Sequence, residues 1–159
     1  MDWMKETNEQ LKRGAFLMVE GNPMTIGWGQ FGVLWGRQTF SVYVRKSRFT
    51  HDLLEHAQTF TVSVPHPGTM SDALAFCGRH SGRSVHKMKE LQASLFPAKY
   101  GCQNGFSGCH FHIECRILFR SVLDEHTLED PALLSRYYAD GDPHTMLIGE
   151  IIGMSEETA

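Results

Sequence analysis

Two stretches of the chain gather cations with no acid to offset them. Arg37, Arg45, Lys46 and Arg48 lie between positions 37 and 51, with Ser47 and Thr50 among them. Arg79, Arg83, Lys87 and Lys89 lie between positions 79 and 89, with Ser81 and Gly82. The whole chain is acidic, with a net charge of −3, and from Asp124 onward nine acids face only Arg136. Two basic patches in an acidic protein suit a small anionic ligand, whereas the overall charge argues against nucleic acid as a partner. A third constellation is His110-x-His112-x-Glu114. Strand spacing puts these side chains on one face, a workable start for a metal site if His126 or His144 joins them. The same alternation is also the ordinary mark of a solvated strand face.

Two other motifs fail on context. Gly27-Trp28-Gly29-Gln30-Phe31-Gly32 matches Gly-x-Gly-x-x-Gly, with Asp52 20 residues beyond Gly32. A dinucleotide fingerprint needs those glycines to open a helix whose N-terminus meets the pyrophosphate. Here a strand-rich run follows, and Asp52 falls in an expected first helical turn. Cys77, Cys102, Cys109 and Cys115 form no Cys-x-x-Cys pair, so a tetrathiolate zinc site is poorly matched. They read as reduced, packed thiols of a cytoplasmic protein.

The elements that must hold these groups are mostly strands. Ala15–Glu20, Met24–Trp28, Phe40–Arg45, Thr59–Val64 and Thr145–Ile152 all read as strands. From Cys109 to Arg120 the alternation is clear, with Cys109, Phe111, Ile113, Cys115, Ile117 and Phe119 on one face. Short helices are expected after Thr50 as N-cap, after the capping-box-like Thr69-Met70-Ser71-Asp72 with Gly78 as its C-terminal cap, within Val85–Ala93, and at Asp130-Pro131. Many strands without regular strand–helix alternation favour an antiparallel barrel with peripheral helices. The 159 residues, 42% apolar and 21% charged, suit one domain over 1–159. No apolar run approaches the roughly 18 residues of a membrane span. Met1 to Glu6 is mixed in charge, unlike a signal peptide, so no membrane partner is expected.

Five runs, in order and spacing, resemble the flavin reductase-like family of FMN-binding split barrels, the group that includes flavoredoxin. They are Asn22 to Gly29, Val42 to Thr50, Phe60 to Pro65, Cys77 to Lys87 and His144 to Ile151. The likeness covers nearly the whole chain. It departs at His86, where relatives carry Asp before the lysine.

The resemblance implies a mainly β fold, an antiparallel Greek-key split β-barrel with a few short peripheral helices. It implies noncovalent FMN and a homodimer whose second subunit completes the site. Ser47, Arg48 and Thr50 would meet the phosphate, with Arg45 in the same turn and Ser81, Gly82, Arg83 and Lys87 in a loop closing over it. Asn22, Met24, Thr25, Ile26, Gly27 and Trp28 match the segment whose backbone lies along the flavin ring. Gly27 permits close approach, Asn22 and Thr25 offer polar groups, and Trp28 either shields the ring or packs in the core. His144 either contacts flavin or substrate, or is a satisfied strand-end histidine. No protein nucleophile is required, because hydride passes from the nicotinamide of NAD(P)H to the flavin. The implied function is a flavin reductase; the alternative is a flavoredoxin-like carrier exchanging electrons with a partner protein. A cupin-like metal-binding barrel through His110 and His112 is the third reading.

Overall fold

The computed structural model describes residues 2–158. In chain order its elements are α1 (Trp3–Leu11), β1 (Ala15–Val19), β2 (Asn22–Ile26), β3 (Gly29–Leu34) and β4 (Arg37–Arg45). There follow α2 (Phe49–His56), β5 (Thr59–Val64), α3 (Ser71–Arg79), α4 (Lys87–Glu90), β6 (Leu95–Phe96) and β7 (Gly105–Phe106). The chain ends with β8 (Phe111–Val122), α5 (Pro131–Tyr137) and β9 (His144–Glu156). Seven strands form one sheet in the order β2-β1-β5-β8-β9-β4-β3, and β6 pairs with β7 alone. Every pairing is antiparallel.

The two edge strands of the large sheet, β2 and β3, are consecutive in the chain. Only Gly27 and Trp28 separate Ile26 from Gly29, so the sheet must roll until its edges meet. No ladder joins β2 to β3 among the described residues. The result is a rolled, mainly β antiparallel sheet whose two edges meet at one seam, in the fold class that the resemblance led one to expect. Inside it pack Leu17, Val19, Phe40, Val42, Val44, Phe60, Val62, Val64, Phe111, Ile113, Cys115 and Leu147. The continuous apolar run of β1 is buried on both faces. Ala15, Leu17 and Val19 enter the barrel, while Phe16 and Met18 pack outward under Leu74, Cys77, Met88 and Phe106.

As its context indicated, the Gly-x-Gly run opens no helix; it leads into β3, which returns as β4 through a two-residue turn. Trp35 and Gly36 both have positive φ there, 54° and 70°, which matches the twist of a tight hairpin. Several other sequence expectations are corrected. Helix α2 starts at Phe49 with Arg48 as N-cap; Thr50 lies inside it and is buried. Helix α3 starts at Ser71 without a side-chain cap and runs past Gly78 to Arg79. Asp130 does cap α5, accepting from the Ala132 N–H with Pro131 in the first turn. In β8 the face splits: an irregularity between Ile117 and Phe119 shifts the register, and Phe119 emerges 42% exposed instead of entering the core. Helix α1 was not anticipated. Its signals are the Asp2 cap on the Lys5 N–H and Trp3, which packs edge-on to Phe31 at 5.3 Å. Among the described residues no helix is long and apolar enough to cross a membrane.

Candidate functional site

A cleft of about 200 Å³ opens at the seam, lined by Met24, Thr25, Ile26, Gly27, Trp28, Tyr43, Arg45, Arg48 and His144. The fold brings them together from three strands and one helix start. Edge strand β2 supplies its outer, unpaired edge. In β4, Tyr43 and Arg45 point away from the core side of Val42 and Val44, and His144 of β9 sits opposite Arg45 in register. Tyr43 was missed by sequence reasoning, although its two-residue spacing from Arg45 signals a shared face.

Each wall is tied from behind. The Thr25 hydroxyl donates to the Leu74 carbonyl at 2.5 Å. The Arg45 guanidinium donates to the carbonyls of Asp142 (2.6 Å) and Tyr137 (2.8 Å) and lies over the Tyr138 ring. Arg48 donates to the carbonyls of Gly78 (2.9 Å) and Cys77 (3.3 Å), leaving part of its five-donor fork free. Burial lowers its pKa. His144 Nδ1 meets the buried Tyr138 hydroxyl at 2.9 Å. With the hydroxyl taken as the donor, the ring proton is assigned to Nε2. Burial, with the Arg45 cation adding to it and Asp142 opposing, pushes the His144 pKa down to about 4. The ring is neutral and 4.7 Å from Trp28 between centroids.

Beside the cleft lies the basic turn. Helix α2 begins there with no side-chain cap; its His51 N–H donates to the Arg48 carbonyl at 3.0 Å, while the Phe49 and Thr50 N–H groups have no partner among the described residues. Asn22 Nδ2 donates to the Thr50 hydroxyl at 3.1 Å. Gly82 presses so close to Asn22 and the Phe49 ring that a Cβ would collide with both. Arg83 donates to the Ser47 carbonyl at 3.0 Å and pairs with Asp52, while Ser81 turns its own loop by accepting from the Arg83 N–H. Asn22, Ser47, Thr50, Ser81, Gly82 and Arg83 therefore form one connected group. Two acids enter it that the sequence patches concealed: Asp52 on Arg83, and Asp142, which accepts from the Ser47 N–H (3.1 Å) and hydroxyl (2.5 Å).

Lys87 stands apart. It is 3% exposed, and its ammonium donates to the carbonyls of Pro23 (2.9 Å) and Cys77 (3.0 Å). Burial is the main cause that pushes its pKa down to about 8. It braces β2 against the end of α3. His86, at the departure from the family pattern, accepts the Lys89 N–H through Nδ1 and so caps α4 as an Asp would.

The His110–Glu114 row is buried, not solvated: the 94–108 segment covers His112 and Glu114, while His110 lies against Glu6, Glu156 and the His66 ring. His112 stacks on Phe96 at 4.1 Å and 6°, with Nδ1 on Ser63 (2.9 Å) and Nε2 on Glu157 (3.0 Å). His110 faces Glu6 (2.6 Å) and Glu156 (3.1 Å) through its two nitrogens. Glu114 accepts the N–H groups of Lys99, Tyr100 and Cys102 at 2.6, 2.9 and 3.1 Å. Protein groups already occupy the would-be ligand atoms of both histidines. All four cysteines are free thiols, and burial raises their pKa values, to about 11 for Cys77 and Cys102.

An antiparallel β fold with a cationic turn beside a cleft at its seam fits the flavin-binding class that the sequence resemblance named. Residues 19–159 match the flavin reductase like domain, and the chain belongs to that family. It is 29% identical over 118 residues to an uncharacterized protein of Archaeoglobus fulgidus, a match spanning 72% of this chain and 66% of that relative. It superposes on flavoredoxin from Methanosarcina acetivorans with a TM-score of 0.66 and 25% identity, covering 91% of this chain and 68% of that one. The FMN-binding protein from Thermus thermophilus, solved with bound p-hydroxybenzaldehyde, gives 0.65 and 27%, covering 92% and 72%.

Proposed function

We propose that this chain binds FMN noncovalently and acts as a flavin reductase, with NAD(P)H as hydride donor. The observation that carries the cofactor is the uncapped start of α2, set in a turn with Arg48, Ser47 and Thr50 and adjoining the cleft. A phosphate there supplies the acceptor that the first helical N–H groups lack, and Arg48 adds charge-assisted bonds from its free donors. Asp142 must then yield the Ser47 donors or share them. The unpaired edge of β2 from Met24 to Gly27 receives the ring, with Trp28 and Tyr43 beside it. Bound FMN would supply the two-electron redox chemistry. The chain's own part is to orient the ring and to hold a neutral Nε2–H donor, His144, in the cleft. A phosphate preference is read by titrating FMN and riboflavin against flavin-free protein; equal affinities would remove the phosphate assignment.

The cleft is smaller than the usual range of small-molecule pockets, about 300–1,000 Å³, so part of a flavin would stay uncovered by one chain. A homodimer completes it in this reading. Val33, Trp35, Phe119 and Ile152 are exposed apolar residues on the β3–β4 hairpin and the neighbouring strands, and they supply a surface for a second copy. Light scattering at the mass of one 18.0 kDa chain would count against it. The likeness to flavoredoxin, at 25% identity, favours a second reading, an electron carrier without its own NAD(P)H activity. Mixing the FMN-loaded protein with NADH or NADPH in a stopped-flow instrument separates the two: rapid bleaching of the flavin supports the reductase, and none supports the carrier.

A further inference from the structure

A second chamber adjoins the cleft. It measures about 540 Å³ and lies between α1, the start of β3, the 123–128 segment and α5. Leu11, Leu123, Leu128 and Leu133 line it with the rings of Trp28 and Tyr137. Those two rings meet edge to face, 5.2 Å between centroids at 86°, making a corner where a flat molecule finds one face and one edge. Trp28 and Leu133 are 42% and 41% exposed, so this apolar surface is uncovered. Gly27, Trp28 and Tyr43 line both chamber and cleft, so an occupant of one lies against an occupant of the other.

Asn8, Lys12, Gln30 and the tyrosine hydroxyls supply the polar groups of the chamber; Lys12 is its one charged side chain, and no carboxylate lines it. Lys12 makes no ion pair among the described residues. The Gln30 carbonyl oxygen accepts from the Tyr43 hydroxyl at 2.5 Å, which leaves its amide N–H groups to donate elsewhere.

We infer that this chamber binds a planar aromatic carboxylate, with its ring in the Trp28–Tyr137 corner and its carboxylate held by Lys12 and Gln30. The volume suits a small molecule of one or two rings. A dinucleotide is a poorer match, because its pyrophosphate would find Lys12 as the chamber's single cation. Placement beside a flavin rests on the function proposed above; binding of the carboxylate does not.

Calorimetry with 2-naphthoate and its neutral twin 2-naphthamide tests the inference, on FMN-loaded and flavin-free protein. The naphthoate should bind one to one with FMN retained. Leu133→Trp fills the chamber from the exposed side of α5 and should abolish binding. Lys12→Met should weaken naphthoate about tenfold while leaving naphthamide nearly unchanged. Binding untouched by Leu133→Trp, or naphthoate displacing FMN, overturns the chamber assignment. So does a halved mass for Leu133→Trp in light scattering, which would mean that the chamber seats a second copy. If FMN itself fails to bind, the flavin reading falls alone. Naphthoate binding that is then lost in Leu133→Trp still supports the chamber.

Discussion

The protein carries two polar regions on one barrel, and they differ in what remains unbonded. Along β8, the Glu114 carboxylate takes three backbone N–H groups, and both ring nitrogens of His112 have partners. At the seam, α2 starts uncapped, Arg48 keeps free donors, and His144 uses one nitrogen of two. Both regions offered histidines and charges to a reader of the sequence. Polarity does not separate a site from a strut; leftover hydrogen-bonding capacity does.

The largest expected effect breaks the closed region. Glu114→Ala removes a carboxylate that is 1% exposed and strands three N–H groups of the covering segment. Loss of the charge-assisted bonds should cost about 3–4 kcal/mol of unfolding free energy, measured in urea. FMN affinity of the folded fraction should stay unchanged. A loss under about 1 kcal/mol would show that water readily replaces the carboxylate.

Next comes the open region. Arg48→Ala should weaken FMN by about tenfold to a hundredfold and spare riboflavin, since one charge-assisted bond contributes roughly 1.5–3 kcal/mol. Lys87→Met provides the contrast. Its ammonium is held by Pro23 and Cys77, so its loss should disturb β2 and weaken both flavins by the same factor. If the lysine change spares riboflavin, Lys87 meets the phosphate after all, and the brace is secondary.

Sequence patterning read the barrel well where both faces of a strand have fixed partners. The run Ala15 to Val19 translates directly into burial, and so does the alternation of Cys109 to Cys115 on the core face. It failed where a distant segment decides. Nothing local shows that the 94–108 segment covers His112 and Glu114, which turned an expected solvated face into a buried one. Nor does an acid-free window reveal Asp142 on Ser47, 95 positions away, or Asp52 on Arg83, 31 positions away. Much of the seam was legible because β2, the basic turn and the start of β9 are each contiguous runs. Tyr138 was not, since its role depends on one contact with His144.

Thiol chemistry gives a smaller difference between the regions. Cys77, Cys109 and Cys115 are buried, and Cys102, half-buried beside Glu114, is raised to about 11. Native protein should therefore react with a thiol-exchange reagent at pH 8 far more slowly than unfolded protein, with Cys102 first. Rapid labelling of Cys77 would instead mean that the end of α3, next to the cleft, opens readily.

The Tyr138–His144 contact gives the smallest and sharpest test. The His144 pKa of about 4 lies below the ordinary 6.5 because burial and Arg45 disfavour the cation. Between those values the unfolded chain binds more protons at this position than the folded one. Its contribution therefore destabilises the fold as pH falls from about 6.5 towards 4, and stops changing below that. The Tyr138 hydroxyl donates to Nδ1 and so favours the neutral ring. In Tyr138→Phe that bond is lost, worth roughly 0.5–1.5 kcal/mol, so the His144 pKa should rise by up to about one unit. It should still remain below the ordinary value, since burial and Arg45 persist. Nitrogen NMR across a pH titration reads both quantities at once. Wild type should show the proton on Nε2 above pH 5, and Tyr138→Phe should show a raised midpoint with a mixture of tautomers. A wild-type ring protonated on Nδ1 would reverse the bond, making Nε2 an acceptor in the cleft and removing His144 as a donor to anything bound there.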